Sequence, residues 1–89
     1  MNLPALTAFR SDTTASPHLH HFQGQQDGAP FTLTLASPIC VQLGHDLDTP
    51  HAWHVWVKDA PSMTAPGPLY AFTLDSSTPE GRAALAALR

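Results

Sequence analysis

An α+β fold is the class this sequence predicts: a mainly antiparallel sheet of four to five short strands carrying one C-terminal helix. Three observations point there. Apolar and polar residues alternate over 31–36 and 39–43, as on half-buried strands, and 53–58 is dense in β-branched and aromatic residues. Proline and glycine cluster between those runs and break them into short segments. The last dozen residues switch to an alanine-rich run with helical spacing of leucine. A small, partly open β-barrel with the same helix is the alternative arrangement.

The chain has 89 residues, the length of one domain. Residues 1–17 are expected to form an N-terminal arm or short helix plus a loop, with 18–89 as the compact body. Leu3, Leu6 and Phe9 fall three apart on a segment that Pro4 could begin as a short helix, the spacing of a helical stripe, and RSDTTASP over 10–17 reads as a loop. HLHHFQ over 18–23 is a short strand candidate, and GQQDGAP over 24–30 a break. FTLTLA over 31–36 and ICVQL over 39–43 alternate on either side of Ser37-Pro38, the pattern of a hairpin or sharp bend between neighbouring strands. WHVWVK over 53–58 is rich in β-branched and aromatic residues. LYAFTL over 69–74 is apolar on both sides and so belongs inside a sheet. At the end, Ser77-x-x-Glu80 matches a capping box, and Thr78 as the cap instead would put Pro79 at the first helical position. Gly81 should weaken that helix by roughly 1 kcal/mol relative to alanine. The expected core is Phe31, Leu33, Leu35, Ile39, Val41, Leu43, Val55, Val57, Phe72 and Leu85.

Composition narrows the function. Four Lys and Arg face seven Asp and Glu, a net charge of −3. The basic residues Arg10, Lys58, Arg82 and Arg89 are scattered, and binding to nucleic acid or an anionic membrane needs them clustered. No apolar run approaches the ~20 residues of a membrane-spanning helix. Cys40 is the sole cysteine, so no disulfide can form within the chain, and small secreted domains usually carry several. Met1-Asn2-Leu3-Pro4 lacks the basic and apolar regions of a leader. These features predict a cytoplasmic protein. One Lys, one Ile and one Asn against many Ala and Pro match GC-rich bacterial coding.

Six histidines in two groups are the most unusual feature. His18 and His20 would share a strand face, and His51 and His54 flank the start of another run, so these four are the candidate metal ligands. Their spacing matches no established zinc pattern, and exposed loop histidines with a polar sheet face explain them more simply, so no metal or other cofactor is predicted. Catalytic signals are weaker. Cys40 with a histidine, or Asp46 with Asp48, have the right chemistry but no motif around them. A buried thiol and an Asp-rich turn account for these residues without catalysis.

The aromatic residues are more informative. Alternation puts Trp53, Val55 and Val57 on one face and His54, Trp56 and Lys58 on the other. Thr32, Thr34, Cys40 and Gln42 are the off-core members of their own runs, so they join the second face. Tryptophan among polar neighbours is a mark of protein contact surfaces. A protein interface of Trp56, His54, Lys58, Gln42, Thr32 and Thr34 is therefore expected. It would serve a small bacterial protein-binding protein without chemistry of its own: an inhibitor, immunity or mobile-element accessory protein, whose partner is another protein or a second copy. The rival readings are a histidine-rich metal-binding module and a small oligomeric enzyme or ligand-binding subunit.

Overall fold

A computed structural model describes residues 3–89, which form six strands and one helix. The strands are β1 (Ala5–Asp12), β2 (Leu19–Gln26), β3 (Ala29–Ala36), β4 (Cys40–His45), β5 (Ala52–Lys58) and β6 (Leu69–Asp75), followed by α1 (Pro79–Leu88). They lie in one mixed sheet in the order β3-β2-β1-β6-β5-β4. The fold is thus α+β, with six strands where four to five were expected. Two antiparallel meanders, β1-β2-β3 and β4-β5-β6, are joined side by side through β1 and β6, which run parallel. The joint is short: Ala5 pairs with Thr73, and the Thr73 amide donates to the Pro4 carbonyl at 2.9 Å. No helix among the described residues is long and apolar enough to cross a membrane.

The expected N-terminal arm or helix is instead a central strand, β1, although the first two residues of that segment lie outside the described residues. Leu6 and Phe9 are three residues apart, which on a regular strand sends them to opposite faces. A register shift between Leu6 and Ala8 inserts one extra residue. This bulge turns both side chains inward, with Leu6 2% exposed and Phe9 half-buried against the core. The helix-like spacing was the trace of a bulge.

A second correction concerns Ser37-Pro38. The runs on either side of it do not become neighbours; they are the two outer edges of the sheet. Only residues 37–39 connect them. Five strand spacings of a flat sheet measure roughly 24 Å, whereas four Cα steps reach at most about 15 Å. The sheet must therefore curl to bring one end of β3 towards the start of β4. Ring contacts record the curl. Phe31 on β3 and Phe72 on β6 are three strands apart, yet their ring centroids are 5.6 Å apart, and Phe22 on β2 reaches Phe72 at 5.7 Å. The sheet stays open, because β3 and β4 do not pair.

The concave face holds the core. Leu6, Phe22, Leu35, Val55, Val57, Phe72 and Leu74 are buried there together with Ala84 and Leu85 of α1. Of the expected core, Leu35, Val55, Val57, Phe72 and Leu85 are buried, whereas Phe31, Leu33, Ile39, Val41 and Leu43 are half-buried against it. The helix packs on β1 and β6, over the short joint. Its cap is Thr78, whose Oγ1 accepts from the Gly81 amide at 2.9 Å, with Pro79 in the first turn. Ser77 does not cap. Its amide and hydroxyl donate to the Asp75 carboxylate at 2.9 and 2.6 Å. At the β2–β3 turn, Asp27 and Gly28 adopt φ of 53° and 81°. Asp-Gly favours such a two-residue hairpin turn, so the glycine-rich break belongs to one continuous hairpin.

Candidate functional site

Strand register sorts the predicted residues. On β4 and β5 the pairs Cys40–Lys58, Gln42–Trp56 and Gly44–His54 alternate with Val41–Val57 and Leu43–Val55. Cross-strand partners share a face. Since Val55 and Val57 are fully buried, the first three pairs occupy the opposite, convex face, which α1 does not cover. Gln42, His54, Trp56 and Lys58 therefore form one patch. Thr32 and Thr34 pair with Gln23 and His21 and also face outward, but on β3, at the far edge of the sheet. The structure does not bring them to the Trp56 patch.

The Trp56 ring leans over β4, where Gly44 has no side chain to block it. Trp56 is flanked across the strands by Gln42 and Ala71. Its ring passes so close to Gly44 that a Cβ there would meet Trp56 Cζ3 at 2.7 Å. His54 stacks beside it, with centroids 5.7 Å apart and planes at 24°. The indole thus rests over Gly44 and stays half-buried. On its other side a shallow depression of about 290 Å³ is lined by Gln42, Trp56, Lys58, Met63 and Leu69. The Lys58 ammonium donates to the Met63 carbonyl at 2.8 Å, which ties the 59–68 loop to this patch. Leu69 is 57% exposed. Gly44, Met63, Ala71 and Leu69 are the members that sequence reasoning missed. An isolated glycine inside an alternating strand is the one available signal, since it marks a close approach of another group.

A wider depression of about 510 Å³ opens at the end of the sheet between the β4–β5 loop and the turn into α1. Trp53, Leu74, His51, His54, Asp48 and Asp75 contribute to it. Asp75 in its lining and the neighbouring Asp46 have carboxylates committed to local turns. Asp46 accepts from the Asp48 amide at 2.9 Å, and that bond, with one from Thr49, holds its carboxyl below the usual range. Asp75 is lowered in the same way by Ser77. His45 donates through Nε2 to the Pro50 carbonyl at 2.9 Å and packs against Trp53. The Arg89 guanidinium sits 5.2 Å from the Trp53 ring centroid.

The candidate metal ligands are dispersed. His20 uses both ring nitrogens, Nδ1 with Ser11 Oγ at 2.8 Å and Nε2 with Ser37 Oγ at 2.7 Å. It thereby buckles β1 and β2 to the connection leaving β3. Partial burial lowers its pKa first, and the nearby imidazoles of His18 and His21 lower it further. The exposed His18 precedes β2, and its carbonyl accepts from the Ser37 amide at 2.8 Å. His51 lies beside β5, and His54 is stacked on Trp56. Two strands, β1 and β6, separate β2 from β5. Among the described residues no three His, Cys, Asp or Glu side chains gather as a metal site would require. Cys40 is half-buried on the convex face beside Lys58.

Fold and patch together define the class: an open, curled mixed sheet with its helix on the concave side and an aromatic patch on its convex side. No protein-family model, curated protein or solved structure matches this chain.

Proposed function

We propose that this chain is a protein-binding protein, and that its contact surface is the convex patch of β4, β5 and β6 centred on Trp56. The observation that carries this reading is a half-buried tryptophan whose ring overlies Gly44, with the exposed Leu69 beside it. Indole carbons left at the surface while most large apolar side chains pack inward are a contact waiting for a partner. Gln42, His54 and Lys58 supply the polar rim. In this reading the protein works in a bacterial cytoplasm as an inhibitor, immunity or accessory protein, and it performs no chemistry of its own.

The test is photo-crosslinking in a bacterial host from a benzophenone amino acid at Leu69, within the patch, and at Leu47, which is 90% exposed on the β4–β5 loop outside it. Position 69 should give a discrete protein adduct and position 47 none. Adding Trp56→Ala should abolish the adduct, because losing a buried contact tryptophan costs at least ~2 kcal/mol, about thirtyfold in affinity. An adduct that persists with Trp56→Ala, or no adduct at position 69, overturns the assignment.

A further inference from the structure

We infer that the free edge of β4 is a self-association site, at which two copies of this chain pair antiparallel about Gln42. Both outer strands of an open sheet expose unpaired amides and carbonyls, and proteins ordinarily protect such edges with charge, proline or a bulge. Edge β3 carries Pro30 inside its pairing register. Edge β4 has none of these devices. Cys40–His45 contains no Lys, Arg, Asp, Glu or Pro, and its register with β5 is unbroken over all six residues. None of its residues is buried, although Val55 and Val57 alongside are fully buried. Val41 and Leu43 are thus half-covered core residues that one more strand would finish burying.

The occupant follows from the strand's own symmetry. Around Gln42 the sequence Cys-Val-Gln-Leu-Gly reads small, aliphatic, polar, aliphatic, small in both directions. Antiparallel pairing on a twofold axis at Gln42 sets Val41 against Leu43 of the second copy and Cys40 against Gly44, with the two Gln42 amides facing each other. Apolar meets apolar on the concave side, and polar or small meets its like on the convex side. The contact is isologous and closes at two copies. It leaves β3 free, and it sets Trp56, Gln42, and the second copy's Gln42 and Trp56 in one row across the joined convex face. The pairing does not depend on the Trp56 patch taking another partner.

Sedimentation equilibrium over a concentration series should show the mass rising from the 9.5 kDa chain to twice that value. Gln42→Lys, which sets ammonium against ammonium at an exposed position, should return the mass to one chain while far-ultraviolet dichroism and cooperative melting stay as in the wild type. Register is read separately, in a Cys40→Ser background. There Gln42→Cys should form a disulfide-linked pair on mild oxidation, and Thr32→Cys, on the other edge strand, should not. A wild-type chain that stays single throughout overturns the inference. So does a pair that survives Gln42→Lys in a folded protein, or linkage through position 32 in preference to position 42.

Discussion

Gly81→Ala separates helix propensity from tertiary fit, because the two give opposite signs. In an isolated helix the change should stabilise by roughly 1 kcal/mol. In the folded protein Gly81 is buried where α1 meets the end of β6, and a Cβ there would lie 1.7 Å from the Asp75 carbonyl oxygen, 2.6 Å from its carbon and 2.9 Å from Thr78 Oγ1. Two of these contacts are backbone, so no side chain can rotate away. Restoring an ordinary separation of about 3.4 Å requires the first turn to withdraw by more than 1 Å. That shift strains the Thr78 cap, worth about 1 kcal/mol, and adds the 1–3 kcal/mol typical of overpacking. Set against the propensity gain, the net effect is a destabilisation of roughly 1–3 kcal/mol. For a chain of this size it should appear as a fall in Tm of about 5–20 °C. Thermal and urea unfolding followed by circular dichroism measure it. Ala83→Gly, on the exposed side of the same helix, serves as the reference and should cost about 1 kcal/mol. A Gly81→Ala protein as stable as the wild type would refute the close docking of α1 on β6.

Phe22 is fully buried and touches Phe9 and Phe72, so Phe22→Ala should cost about 3–5 kcal/mol and leave little folded protein at 37 °C (a Tm measurement decides). Leu33→Ala, at a half-buried site, should cost distinctly less. Burial holds the His20 pKa below its ordinary 6.5, so the unfolded chain takes up this proton more readily than the folded one. Stability should be complete above pH ~6.5 and decline as pH falls through the depressed folded value; His20→Gln should flatten the urea midpoint across that window, and an unchanged profile would show that the Ser11–His20–Ser37 buckle does not feel the proton. At lower pH the sign reverses in cause but not in direction. Asp12, Asp46 and Asp75 are lowered from 3.8 by hydrogen bonds to Thr14, Asp48 and Ser77, so their contribution is present above about that value and is lost as they protonate, a second acid transition that Asp75→Asn should weaken.

The sequence by itself determined the local facts: which residues alternate along β3, β4 and β5, which face each side chain takes, and that α1 begins at a cap on Ser77 or Thr78. These depend on the two-residue period of a strand and on the chemistry of a cap, and both are written in adjacent residues. Hence Val55 and Val57 were legible as core, and Gln42, His54, Trp56 and Lys58 as one convex row. Tertiary structure alone decided which strands are neighbours. Nothing local distinguishes a connection between paired strands from one between opposite edges, so Ser37-Pro38 reads as a hairpin until the curl of the sheet is known. Nor can spacing reveal that Thr32 and Thr34, identical in pattern to the members of the Trp56 row, lie at the far edge. β1 was concealed because its bulge converts a strand's period of two into a local spacing of three, which a helix also shows. Gly81 and Gly44 were misread or passed over for the same physical reason: the value of a missing Cβ is set by what approaches it, a carbonyl of β6 in one case and the indole of Trp56 in the other.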